Sequence, residues 1–304
     1  MKHHFQRARI VLKSRGLISL ITTALKYIPI EINNLIFRTR YGSGCDVMSE
    51  DWDTLIILDA CRYDTFHQAN HMEGSFEYRI SQGSMSDEFL LNNFGATTHP
   101  DTVYVSTNPY FAQLNLAGHF HAVVDLLEMR DEQLETIPPA DVVEAATSAH
   151  ANYPNKRIIV HFMQPHLPFL GPTGQSLHSK SGERNLFRVV RGNSDAITTD
   201  DLVRAYEENL ELVLQCVQKL LAAIDGKVVI SADHGNMFGE RQGPLPTAKM
   251  WGHPWGVYTP SLVKVPWHII DGERRIVSAG GLNQESGSRD DAEVKQKLHA
   301  YGYL

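Results

Sequence analysis

Residues 201–235 read DLVRAYEENLELVLQCVQKLLAAIDGKVVISADHG, and this stretch decides the fold class. Apolar residues recur at intervals of three and four from Asp201 to Ile224, the period of an amphipathic helix. Thr199 and Asp200 can cap its start, and Gly226 stands just past its end. Lys227–Ser231 (KVVIS) then forms a short β-branched run that breaks off at Asp233-His234-Gly235. A helix feeding a buried strand is half of an alternating α/β unit.

Three more runs match this strand upstream: Asp53–Leu58 (DTLIIL), Thr102–Ser106 (TVYVS) and Arg157–Phe162 (RIIVHF). Short, nearly continuous apolar runs of this kind suit parallel strands covered on both faces. The expectation is an α/β fold with a mostly parallel central sheet flanked by helices. Ligands then bind beyond the carboxyl ends of the strands. Those ends carry Asp59 (in LDACRYD), His161 and His166 (in HFMQPHLPF), and Asp233-His234. Asp supplies a hard oxygen ligand and His a borderline nitrogen, so carboxylates and imidazoles gathered on one sheet edge point to a metal site. Taken singly, Asp59 reads equally as a helix cap and His161 as a core histidine.

Composition bounds the rest. The 304 residues are 42% hydrophobic and 21% charged, which excludes a disordered, collagen-like or coiled-coil chain. Three widely spaced cysteines (Cys45, Cys61, Cys216) exclude a disulfide scaffold and a four-cysteine zinc site, and fit a reducing compartment. Residues 1–44 hold eight Lys and Arg against Glu31 alone, +7 in a chain whose total is −7, so the remainder carries −14. An acidic body argues against nucleic acid as partner. The shift divides the chain into a basic extension, 1–44, and a catalytic domain, 45–304. Gly16–Leu25 is apolar but half the ~20 residues a spanning helix needs. Three readings stand for the extension: an amphipathic segment on an anionic membrane surface, a helix packed on the body, or a signal peptide without a clear cleavage site. The expected location is cytoplasmic, peripheral on the inner membrane face under the first reading.

Taken in order, LDACRYD, GSMSDEF, QPHLPF, SADHGNMFGE and GHPWGVYTPSLVKVPW resemble sulfatase-like members of the alkaline phosphatase superfamily, the compact prokaryotic type, over about Trp52 to Trp267. The resemblance implies an alkaline-phosphatase-like fold and a metal-dependent hydrolase of sulfate or phosphate esters working through a covalent serine intermediate. It implies Asp59, Asp233 and His234 as metal ligands and Ser84 as nucleophile and fourth ligand, with Ser81, Ser86 and Thr107 as rivals. His166 and His253 would contact the transferred group, His253 alternatively a second metal, and Arg62 would pair with substrate oxygens. Zinc or manganese suits the mixed donor set better than calcium or magnesium. The substrate would be a sulfated or phosphorylated small molecule or glycan. A transferase acting on a surface glycan or lipid, and an inactive binding module, are the alternatives. The chain departs from the formylglycine sulfatases: neither Cys61 nor Ser84 sits in their C/S-x-P/A-x-R context, and Cys61 reads as a small buried residue.

Expectations for the lesser elements are plainer. His119 and His121 are structural residues before a helix, and His99 lies in an exposed loop. Residues 171–193 are a polar loop or flap. Residues 292–304 are a closing helix. Trp251, Trp255 and Trp267 form either a wall beside the site or a satellite core.

Overall fold

The computed structural model describes residues 27–183, 185–192 and 197–280. The apolar stretch 16–25 and the helix expected at 292–304 lie outside the described residues. A helix, α1, covers residues 27–41. After it come β1 (Thr54–Leu58), α2 (Tyr63–Ala69), β2 (Ser75–Ile80), α3 (Ser86–Phe94), β3 (His99–Ser106), α4 (Pro109–Gln113) and β4 (Phe120–Asp125). The second half holds α5 (Pro139–Asn152), β5 (Arg157–Phe162), α6 (Pro172–Ser181), α7 (Leu186–Arg191), α8 (Thr199–Leu221) and β6 (Val228–Ser231). It closes with β7 (Met237–Glu240), β8 (Met250–Gly252), α9 (Pro260–Val263) and β9 (Lys264–Ile270).

Seven strands form one sheet in the order β2-β9-β6-β1-β5-β3-β4. The run from β6 to β4 is parallel, and β9 and β2 are added antiparallel. The expected fold class is therefore the observed one. β1 and β6 are buried along their whole length and β5 along all but its first residue, because helices cover both faces. Alternate residues serve opposite cores. Ile56, Leu58, Ile158, Val160 and Ile230 pack with Val142 of α5 and with Leu210, Val213 and Val217 of α8. Leu55, Ile57, Tyr104, Ile159 and Val229 pack with Phe89, Leu90 and Phe94 of α3 and with Trp52.

α8 runs as its periodicity predicts, with Leu202, Tyr206, Asn209, Leu210, Val213, Val217 and Leu220 on its buried face. Its cap is Thr198, one residue earlier than expected, in a reciprocal box with Asp201. Gly226 has φ +92° and passes so close to Asp53 that a Cβ there would lie 3.0 Å from the Asp53 Cβ. Only glycine meets both demands.

Four local expectations need correction. His119 and His121 precede and enter strand β4, not a helix. His99 is buried and opens β3. The supposed flap contains helices α6 and α7, whose Leu177, Leu186 and Phe187 join a core with Phe169, Tyr206 and Phe238. Trp267 of β9 belongs to the main core, whereas Trp251 packs against the α6–α7 cluster. β9 escaped notice because Pro266 interrupts it. A proline cannot donate to the ladder and argues against an interior strand, yet β9 lies between β2 and β6.

Asp53, buried just before β1, ties the base of the sheet together. Its carboxylate accepts from Lys227 N–H (2.8 Å), from Arg274 (2.8 and 3.0 Å) and from Arg275 N–H (3.3 Å). Burial alone would raise its pKa, but these donors hold it below the usual carboxylate range. A depressed folded pKa gives stabilisation that is complete above about pH 4, the unfolded value, and is lost as pH falls through the folded one. Asp53→Asn should therefore lower the denaturation midpoint at pH 7. The gap from wild type should narrow as the pH is taken below about 4. A pH-independent gap would rule out the carboxylate's charge as its source.

Candidate active site

The parallel register aligns the carboxyl ends of four strands: Leu58 pairs with Phe162, Ile57 with Ser231, and Ser106 with His161. The residues at and just beyond these ends build the site. Asp59 comes directly after β1, Asp233 and His234 come after β6, Thr107 and Asn108 come after β3, and His161 is the penultimate residue of β5.

Asp59, Asp233 and His234 are fully buried and present ligand atoms that all lie within 4.8 Å of one another. His234 Nε2 is 3.4 Å from Asp233 Oδ2 and 3.7 Å from Asp59 Oδ1. Two ligands at ~2.0–2.1 Å from one tetrahedral ion would stand ~3.4 Å apart, so the group can hold a metal ion. The surroundings favour it. His234 Nδ1 is 2.8 Å from Gly235 O; the ring must donate there, which leaves the Nε2 lone pair facing the carboxylates. Asp233 Oδ1 accepts from Ala60 N–H (3.0 Å) and His234 N–H (2.8 Å), and Asp59 Oδ2 accepts from Asn108 Nδ2 (2.8 Å). Burial would raise the Asp233 pKa, but the neighbouring imidazoles and these donors outweigh it and keep it low. The donor set is two hard oxygens and one imidazole nitrogen.

A serine hydroxyl completes the group, and it is that of Ser86. Its Oγ is 2.7 Å from Asp233 Oδ2, 3.3 Å from Asp59 Oδ2 and 3.3 Å from His234 Nε2. Ser86 is the first residue of α3, so its hydroxyl stands at the positive end of that helix. Ser84 is placed elsewhere. Its hydroxyl donates to Glu88 (3.0 Å) and accepts from Gly256 N–H (2.8 Å), and its own N–H donates to Glu88 as well. Ser81 donates to the Asp233 carbonyl and Thr107 to the His161 carbonyl. Of the four serine and threonine candidates, the hydroxyl lying among the carboxylates is that of Ser86. Ser84 reaches Glu88 instead because the chain is extended at Met85 (φ −156°) before α3 begins.

His166 and His253 meet beside this group. Their Nε2 atoms are 3.0 Å apart, and the His253 ring lies 4.7 Å from that of His234. His166 Nδ1 donates to Leu167 O (2.7 Å), so its Nε2 accepts and the shared proton sits on His253 Nε2. Burial pushes His166 down to about 4 and His253 well below its ordinary value, so the pair is neutral near pH 7. His161 is also inside. Its Nδ1 lies 2.8 Å from Tyr104 OH, and its Nε2 faces Asp59 and Asp233 at 3.9 and 3.8 Å, beyond hydrogen-bonding range.

Arg62 has four of its five N–H donors committed: two to Asp64 (2.9 and 2.6 Å), one to Asn236 O (2.9 Å) and one to Glu240 (2.5 Å). Cys61 is a buried core residue with a thiol pKa pushed well up by burial, and all three cysteines are free.

Several supporting residues gave no usable sequence signal. Ala60 adopts φ +59°, a strained conformation for alanine, which lets its N–H reach Asp233 while its carbonyl accepts from Tyr206 OH (2.8 Å). Asn209 of α8 donates to Pro165 O and His166 O (3.1 Å each) and accepts from Leu170 N–H (3.0 Å), pinning the QPHLPFL segment. Arg191 of α7 donates to Trp251 O and lies close enough to His253 to lower its pKa further.

No protein-family model matches the chain, and no curated protein matches it. Solved structures do. One is the soluble domain of lipooligosaccharide phosphoethanolamine transferase A from Neisseria meningitidis, at 11% identity and TM-score 0.47, covering 71% of this chain and 75% of that one. A second is a 2-O GAG sulfatase, at 10% identity and TM-score 0.48, covering 83% and 70%. A third is a protein of the alkaline phosphatase superfamily from Vibrio parahaemolyticus, at 12% identity and TM-score 0.40; this chain matches over 75% of its own length and spans 62% of that protein. These likenesses are of fold alone, with TM-scores below 0.5, and the functional reading rests on the side chains just described.

Two measurements test the geometry. The purified protein should carry about one divalent ion per chain, and Asp233→Asn should lose most of it, because a charged ligand is replaced by a neutral one. Full occupancy in that variant would discard Asp233 as a ligand. Asn209→Ala should cost about 1–3 kcal/mol in chemical denaturation, since three buried backbone groups lose their partner.

Proposed function

We propose that the protein is a metal-dependent ester hydrolase of the phosphoryl or sulfuryl type, with Ser86 as the group that attacks. The observation that carries this reading is the Ser86 hydroxyl, 2.7 Å from Asp233 and within 3.3 Å of Asp59 and His234. A divalent cation held by Asp59, Asp233 and His234 would lower the pKa of a neighbouring hydroxyl and neutralise the charge of the anionic ester. Ser86 Oγ then forms a bond to phosphorus or sulfur while the bond to the leaving oxygen breaks. Water reverses the exchange and frees the serine.

His253 and His166 supply neutral hydrogen bonding beside the reacting group. His253 Nε2–H donates to His166 Nε2, and His166 is itself fixed by Leu167 O, so the two rings form a neutral, preorganised wall there. The α3 N-terminus adds its dipole at Ser86. Arg62, with its donors committed to Asp64, Asn236 and Glu240, holds the entry to β7 rather than touching substrate. An unmodified serine favours the phosphoryl ester. Ser86 is followed by Glu88 at the second position and Leu90 at the fourth, not the Pro/Ala and Arg of formylglycine sites. Zinc or manganese is the preferred ion for the mixed donor set.

Transfer to an acceptor hydroxyl instead of water is the second reading. A cavity of about 590 Å3 is the observation behind it; it is lined by Leu134, Pro168, Phe169, Leu170 and His178, the second of them two positions along the chain from His166, and shares no lining residue with the Ser86 group. Such a space suits an acceptor larger than water.

With an aryl phosphate, Ser86→Ala should lose roughly three or more orders of magnitude in kcat while keeping its metal. Ser84→Ala should stay within about tenfold of wild type, since it removes a loop contact and not the attacking atom. Mass spectrometry after acid quench should find the phosphate on Ser86. Undiminished turnover in Ser86→Ala would move the nucleophile to Ser84, Ser81, Thr107 or water. Product analysis with added alcohols separates the two readings: a transferase yields the alkyl ester in excess of hydrolysis.

A further inference from the structure

The face of α1 turned away from the body is apolar. Ile28, Ile32, Leu35 and Ile36 are 50%, 41%, 68% and 43% exposed. Their spacing, i, i+4, i+7 and i+8, makes one continuous stripe. Four large aliphatic side chains in a row on an acidic, water-exposed body call for a covering partner.

The opposite face fixes the stripe's direction. Asn33 exchanges two 2.8 Å bonds with the backbone of Leu245. Asn34 donates to Gly256 O (2.8 Å) and accepts from Tyr258 N–H (3.0 Å) and from the Gln242 amide (2.8 Å). Both asparagines are buried, and Phe37 packs with Met237, Val257, Tyr258 and Leu262. Rolling the stripe inward would break all of these bonds.

Charge identifies the partner. Residues 27–44, which carry the stripe, and 241–258, which pack against the helix's other side, contain Arg38, Arg40, Arg241 and Lys249 against Glu31 alone, in a chain of net charge −7. An apolar stripe flanked by arginine and lysine fits a surface that is apolar within and negative outside. No described helix is long and apolar enough to cross a membrane.

We propose that α1 docks this protein on an anionic lipid surface. Ile28, Ile32, Leu35 and Ile36 enter the acyl boundary and Arg40 lies against the headgroups, with Arg38 held over the Tyr258 ring at 4.3 Å on the flank. Because Asn34 holds Gly256, three residues from His253, the docked helix brings the site's rim to the membrane.

The test uses the full chain and co-sedimentation with vesicles of phosphatidylcholine, alone or mixed with phosphatidylglycerol. Wild type should bind the anionic vesicles far better than the neutral ones, and the binding should weaken with salt. Ile32→Glu with Leu35→Glu should lower the partition coefficient by roughly tenfold or more. The milder Leu35→Gln should lower it less and repeats the test without added charge. Both positions are exposed, so the circular dichroism spectrum and aryl phosphate turnover should stay at wild-type levels. That turnover reads the Ser86 site separately, so an inactive wild type that still binds vesicles would overturn the functional reading and leave this one standing. Failure of wild type to bind, or equal binding by the double variant, would overturn the proposal. So would a dimer that the double variant converts to monomer with no change in vesicle binding, which would make a second copy the occupant.

Discussion

Two carboxylates, Asp59 and Asp233, share one buried space around the Ser86 hydroxyl. Burying a single carboxylate is costly, and burying two together adds mutual repulsion. The surrounding structure can be understood as the means of tolerating that arrangement. Backbone N–H groups of Ala60 and His234, the Asn108 amide and an imidazole are all aimed at it. A divalent cation is the remaining compensation that the donor geometry suits. The same features that make the pair expensive give a preorganised place for charge to develop.

The parallel sheet is what makes such convergence cheap in design terms. Each strand needs only to end in register for its next residue to join the group, and β1, β5, β6 and β3 do so. Helix α8 then locks the loops from behind. Tyr206 bonds both the Ala60 carbonyl and the Arg62 N–H, and Asn209 fixes the segment carrying His166. These polar residues sit on the buried face of an otherwise apolar helix, where an unsatisfied group would be penalised. Their cost is met by loop backbone groups that have no ladder of their own.

Legibility in the sequence followed burial. β1, β5 and β6 are covered on both faces, so they read as unbroken apolar runs, and the polar residues ending them stood out. β2 was hidden by its exposed, alternating SFEYRI pattern and β9 by Pro266. α6 and α7 were hidden by a Gly- and Ser-containing segment whose few apolar residues pack locally on Phe169 and Tyr206. Among the site residues, Asp59, Asp233, His234, His166 and His253 could be named because strand ends and short motifs carry them. Which of the Ser84 and Ser86 hydroxyls lies among the carboxylates could not be read that way. It depends on one extended residue, Met85, and the first turn of α3, a difference of two positions that composition does not register.

The order of the sheet also sets a problem for the growing chain. Among the described residues β1 is the first strand to be made and occupies a central place, yet both its neighbours come much later: β5 begins at Arg157 and β6 at Val228. Until then TLIIL has two open edges and two apolar faces, the properties that drive strands of different molecules to pair. The long-range parallel contacts it awaits are also the slow ones to form. The interval in which this middle strand waits for its partners is thus where the topology exposes half-made chains to one another, whatever the stability of the finished sheet.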